Sequence, residues 1–109
     1  MLTQGEIIEV NLDPTLGHEP KKRRPVLVIS STAFNLHSSL TYIAPITSTD
    51  NGYPLHISIE DNNAGVHGFA CLEQMRSLDL LARSYTTLGT LDSATLDAIL
   101  DYFPAIFDL

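Results

Sequence analysis

The chain has one cysteine, no tryptophan and only six lysines and arginines among its 109 residues. A lone thiol, Cys71, excludes an intrachain disulfide and fits a reducing compartment. No stretch reaches the roughly 18 consecutive apolar residues of a transmembrane helix. Residues 1–10 carry neither a basic start nor a long apolar run, so the expectation is a cytoplasmic protein with no signal peptide and no membrane association. Thirteen acidic residues against six cations give a formal net charge of -7, which excludes general nucleic-acid affinity through bulk electrostatics. There is no glycine-rich phosphate loop. The four histidines, His18, His37, His56 and His67, fall in separate segments without ligand-like spacing, so no metal and no cofactor are expected.

The few cations are unevenly placed. Four are consecutive, Lys21, Lys22, Arg23 and Arg24, the others are Arg76 and Arg83, and the last 26 residues have none. An acidic body with one basic edge fits a local anion site better than a broad basic surface. The basic run belongs to the stretch around which the chain is organised, Asp13 to Ile29, DPTLGHEPKKRRPVLVI. It opens on a turn signature, passes Gly17-His18-Glu19 and the cations, and drops through Pro25 into the apolar run Val26–Ile29. Functional groups on a loop anchored in a rigid strand are the usual arrangement for binding and catalysis.

An apolar share of 44% in 109 residues supports a single domain, 1–109, with one real core. Gly5–Leu12 alternates as a half-buried strand, with Ile8, Val10 and Leu12 opposed to Glu9 and Asn11. Val26–Ile29 predicts a central strand covered on both faces, with Pro25 at its first position. Ser30–Ser39 reads as a loop or one helical turn, and Leu40–Ile46 as a third strand. Asn51-Gly52 signals a hairpin into a fourth strand, in which Leu55, Ile57 and Ile59 alternate with His56, Ser58 and Glu60 on a wet face. Asp61–Gly65 is a turn, Val66–Met75 a fifth strand, and Arg83–Leu91 a short sixth. Leu96, Ile99, Leu100, Phe103 and Phe107 then recur at helical spacing. Asp92 is the expected N-cap of that helix, and Pro104 is expected to kink or end it. The fold expected is mainly β, a small, strongly bent barrel of five to six strands capped by a terminal helix.

Metal-free phosphodiester chemistry suits these residues. Cleaving RNA through its own 2′-hydroxyl needs a base, an acid for the leaving 5′-oxygen, and donors for charge developing on the phosphorus. Arg24 offers a planar fork matched to phosphate oxygens. Thr47 and Ser48 offer hydroxyls at a strand end, His18 titrates near neutrality, and Glu19 or Glu73 can orient a partner. The competing reading is that Thr47 and Ser48 bond their own backbone, His18 is merely solvated, and Arg24 covers an edge.

Taken together, GEIIEVNLDPTLGHE, RRPVLVIS, Phe34-Asn35, PITS at Pro45–Ser48, GYPLHISI, GFACLEQMRSLD and Leu88–Leu91 resemble the MazF/PemK/Kid family of toxin endoribonucleases. The matches run in the family's order over roughly residues 5 to 91. The resemblance implies an SH3-like barrel, a homodimer, and metal-independent cleavage of single-stranded mRNA to 2′,3′-cyclic phosphate and 5′-hydroxyl ends. It also implies a cognate antitoxin whose acidic disordered tail occupies the RNA groove. Family catalysis maps onto Arg24 and Thr47, with Ser48 beside them. Lys21, Lys22, Arg23, Glu19, Glu73 and Arg76 fall to RNA contact. A second branch of the family uses the histidine matching His18 plus an arginine and an aspartate on the fifth strand. Those two positions hold Cys71 and Glu73 here, so Arg24 and Thr47 lead and His18 is secondary.

Two other readings remain on the sequence alone. One is a non-enzymatic barrel that binds a protein target, like the gyrase-poison toxins of the CcdB type. Those use a terminal helix and a nearby tryptophan, whereas this helix carries Asp97 and Asp101 and the chain has no tryptophan. The other is an inactive homologue that only binds RNA or antitoxin.

Overall fold

The structure is a computed structural model that describes residues 2–12, 23–50, 52–60 and 62–108. His18, Glu19, Lys21 and Lys22 lie outside the described residues. Seven strands run through the rest: β1 (Glu6–Asn11), β2 (Arg23–Val28), β3 (Leu40–Thr47), β4 (His56–Ser58), β5 (Phe69–Cys71), β6 (Arg76–Asp79) and β7 (Tyr85–Thr90). Helix α1 (Thr32–His37) follows β2, and α2 (Ser93–Leu100) and α3 (Tyr102–Phe107) follow β7. Among the described residues no helix is long and apolar enough to cross a membrane.

All pairings are antiparallel, in the order β4-β5-β3-β2-β1-β7, with β6 also on β3. The bend is built into β3. Its first half pairs with β6, from Leu40–Asp79 to Ile43–Arg76, and its last two residues pair with β5, Ile46 with Ala70 and Thr47 with Phe69. One strand serving two partners in succession must turn between them, and a turning strand curls the sheet. The curl closes where Asn62, beyond β4, bridges Leu91, beyond β7.

Strand β2 is covered on both sides, as its unbroken apolar run requires. Leu27 joins Ile7, Ala44, Ile59 and Ile99 in one cluster, while Val26 and Val28 join Ile8, Val10, Ile43 and Leu78 in the other. Full burial of each such side chain contributes roughly 1.5–3 kcal/mol. This rigid strand is what anchors Arg24 at its solvent end.

Three expectations need correction. The Asn51-Gly52 signal does not make a hairpin of β3 and β4, because β5 lies between them and pairs with both. The expected fifth strand breaks after Cys71 into a 3-10 turn, Leu72–Gln74, before β6, and this allows β3 to take two partners. Pro25 is the third residue of β2 rather than the first. The terminal helix does break, at Asp101, in the turn before Pro104, as the missing amide proton and the ring clash with the preceding turn lead one to expect. Pro104 itself sits in the first turn of α3, where amide protons have no intrahelical acceptor. The expected cap does form, with the Asp92 carboxylate accepting from the amides of Ala94 and Thr95.

Candidate active site

Strands β2 and β3 pair through Val26–Pro45, Leu27–Ala44 and Val28–Ile43. Continued two residues past the last pair, that register sets Arg24 opposite Thr47. A cleft of about 280 Å³ opens there, lined by Arg24, Pro25, Ile46, Thr47, Ser48 and His67. Arg24 is exposed, and its Nη1 donates to the Arg23 carbonyl at 3.2 Å. The Thr47 hydroxyl accepts from the Thr49 amide at 3.2 Å. That turn contact takes up a lone pair and leaves the hydroxyl proton available to donate, so the turn role and a donor role are compatible.

Thr47 is held from two sides. Gly68 (φ +145°) packs so closely that a Cβ there would collide with the Thr47 carbonyl oxygen, which requires glycine at the entry to β5. On β5 itself, Phe69 pairs with Thr47, and the Cys71 thiol donates to the Phe69 carbonyl at 3.8 Å. Burial pushes the Cys71 thiol up, the neighbouring Glu73 carboxylate adds to the rise, and the Thr47 backbone partly opposes it.

His67 is a cleft residue that the sequence reading left among the scattered histidines. Its Nδ1 lies 2.6 Å from a Glu60 carboxylate oxygen, and its side chain is 78% exposed. With the Nδ1 proton directed at the carboxylate, Nε2 carries the lone pair that can take a proton. The signal was present but weak: Glu60 and His67 flank the Asp61–Gly65 turn, so a hairpin reading would have set them face to face.

The other expected contacts are dispersed. Arg23 turns its head onto the neighbouring strands: Nη2 donates to the Glu9 carbonyl (3.1 Å), the Thr86 hydroxyl (3.3 Å) and the Ser84 carbonyl (3.5 Å). Arg76 is exposed on β6 opposite Ile43, four positions along β3 from Thr47, or about 13 Å. Glu73 lies in the 3-10 turn, 3.0 Å from His56 Nε2. His56 is not on a wet face, since its side chain is only 3% exposed. It pairs directly with Cys71, and the Tyr53 ring meets it edge-on at 5.2 Å. A wider hollow of about 410 Å³ at the closing seam, lined by Asn62, Asn63, Thr90, Leu91 and Asp92, lacks proton-moving groups except Asp92, which is committed to capping α2.

The fold is a small bent β-barrel that gathers a guanidinium, two hydroxyls and a histidine in one strand-end cleft. The family model for the PemK-like, MazF-like toxin of type II toxin-antitoxin systems matches residues 3–107, and the chain belongs to that family. It is 32% identical over 104 residues to endoribonuclease PemK of Escherichia coli, covering 91% of this chain and 77% of the relative. It is 37% identical over 92 residues to endoribonuclease toxin ChpB of Escherichia coli K12, covering 79% and 77%. The crystal structure of MazF from Deinococcus radiodurans superposes with a TM-score of 0.81 at 29% identity, covering 99% of this chain and 97% of that one. A MazE-MazF complex from the same organism gives 0.82 at 25% identity, covering 99% and 96%.

Proposed function

We propose that the chain is an endoribonuclease toxin that cleaves single-stranded mRNA at the Arg24–Thr47 cleft without a metal. The observation that carries the reading is that Arg24, Thr47, Ser48 and His67 line one cleft beyond the end of the β2–β3 pair. Arg24 would hold the two non-bridging oxygens of the scissile phosphate, and the Thr47 and Ser48 hydroxyls would donate to the same group. The RNA 2′-hydroxyl attacks phosphorus and loses its proton to a base. The bond to the 5′-oxygen breaks as an acid protonates it, leaving a 2′,3′-cyclic phosphate and a 5′-hydroxyl. His18 and His67 are the proton carriers proposed for these steps. Lys21 and Lys22 would draw the strand in.

The test is to incubate a defined RNA with the protein in excess chelator and weigh the fragments by mass spectrometry. Cyclic phosphate and 5′-hydroxyl ends at an unchanged rate are expected. Cutting that stops with chelator and returns with magnesium would sink the reading, and intact RNA would favour a barrel that only binds.

Arg23 is proposed to serve the barrel more than the RNA, because its hydrogen bonds tie β2 to β1 and β7. Arg23→Ala is expected to cost about 1 kcal/mol of stability with little change in RNA affinity. The partly exposed Glu9 ion pair contributes little to that figure. A melt and a binding titration check this; RNA binding that falls as far as in Lys22→Ala would contradict it.

The proposed protein partners are a second copy of the chain and an antitoxin with an acidic disordered tail, acting in the cytoplasm. A second copy would cover the apolar surface that α3 leaves exposed at Tyr102 and Phe107. Sedimentation at micromolar concentration is expected to show a dimer, and a lone 12.0 kDa species would count against it. An acidic tail would meet its opposite charge in Lys21–Arg24 and compete with RNA there.

A further inference from the structure

The barrel brings together three potential ligands that the sequence keeps apart. His56 and Cys71 are direct antiparallel partners on β4 and β5, so their side chains share one face of the sheet. Two residues on, the 3-10 turn carries Glu73 back over the pair. One donor atom from each, an imidazole nitrogen, the thiol sulfur and a carboxylate oxygen, lie within 4.8 Å of one another.

The imidazole is the second, independent observation. Its side chain is 97% buried, and neither ring nitrogen has a hydrogen-bond partner among the described residues. Nε2 is 3.0 Å from the Glu73 carboxylate but out of line for a hydrogen bond. Buried polar groups are nearly always paired, so an orphaned imidazole beside a thiol and a carboxylate needs an explanation.

We propose that His56, Cys71 and Glu73 form a binding site for a borderline-soft divalent cation, with zinc the best fit. Thiolate and imidazole select zinc over the hard magnesium and calcium ions. Three protein ligands and one open position are a common zinc arrangement. Zinc bond lengths place tetrahedral ligands about 3.5 Å apart. His56 Nε2 and the Glu73 carboxylate are already 3.0 Å apart, so what remains to close is the approach to the Cys71 sulfur, by little more than about 1 Å from the 4.8 Å spread. Glu73 is 34% exposed and gives the ion its way in. On binding, the Cys71 S–H bond breaks, the sulfur lone pair passes to the metal, and the proton leaves to solvent. The site lies near the cleft because β5 pairs with β3, but none of its three residues lines that cleft, and it supplies nothing to the proposed chemistry.

Cobalt titration of the full chain, reduced and stripped of metal, is the experiment, and it uses no RNA, so its outcome is separate from the nuclease reading. Wild type is expected to bind one cobalt per chain, with a thiolate-to-cobalt charge-transfer band and tetrahedral visible absorption, both removed by zinc. Cys71→Ser should lose the charge-transfer band. His56→Gln and Glu73→Gln should bind at least about 100-fold more weakly, since even indirect partners of a ligand are worth 10- to 100-fold. His67→Gln should bind as wild type does. Glu73 is at the surface, so Glu73→Gln keeps the test valid if Cys71→Ser fails to fold. No charge-transfer band in the wild type, or undiminished affinity in folded Glu73→Gln or His56→Gln, would overturn the proposal.

Discussion

Arg24→Ala is expected to lower the single-turnover cleavage rate by on the order of a hundred- to a thousandfold, the usual cost of one preorganised donor to a developing oxyanion. The reason is positional. Arg24 directly precedes the strand residues Pro25 and Val26, so its backbone is held by a run buried on both faces, while its side chain reaches the cleft opposite Thr47. It is exposed, and substitutions at such sites usually move stability by no more than about 0.5 kcal/mol. The melting temperature should therefore stay close to wild type. Arg24→Lys should be nearly as slow as the alanine variant, because an ammonium keeps the charge but not the two-pronged contact. A near-native rate in Arg24→Lys would reduce Arg24 to a point charge and move the weight onto the histidines.

Gly68→Ala is the second large effect, and it acts without touching RNA. The added Cβ meets the Thr47 carbonyl oxygen, and φ of +145° is a conformation that alanine adopts only with strain. Such strain costs about 1–3 kcal/mol. Relief requires β5 and Thr47 to separate, and a displacement of about 1 Å at a reacting centre can cost about a hundredfold in rate. Loss of both stability and rate is the expected pattern, in contrast to Arg24→Ala, which should lose rate alone. A Gly68→Ala protein that melts lower but cuts as fast as wild type would show that the Gly68 contact supports the barrel and does not position Thr47.

What could be read directly from the residues was local. Val26–Val28 announced a strand buried on both faces, and Asp92 announced the start of the terminal helix; both rest on neighbours in sequence. Arg24 and Thr47 were each visible as the solvent end of a strand, but their opposition depends on a β2–β3 register that no short stretch specifies. The failures were non-local. Asn51-Gly52 has hairpin chemistry, yet β5 pairs between β3 and β4. Alternation along β4 put His56 on a wet face, whereas its burial depends on Cys71, fifteen positions later, and on the covering Tyr53 ring. The potential metal ligands were invisible for the same reason, because ligand spacing along a chain is a helix and loop signal and this set is assembled across two strands. The break of the terminal helix at Asp101 was by contrast a local signal, since a proline such as Pro104 disrupts the turn before it.

In the proposed mechanism this barrel uses the RNA's own 2′-hydroxyl as the nucleophile at the Arg24–Thr47 cleft. The most direct measurement compares two oligonucleotides that differ only by a 2′-deoxy nucleotide on the 5′ side of the scissile bond, under single turnover with excess chelator. Comparable binding of both, rapid cutting of the all-RNA strand, and no cutting of the substituted one at that bond are expected. Cleavage at the deoxy position would mean that water is the attacking group, which would contradict the mechanism and the roles assigned to Arg24 and Thr47.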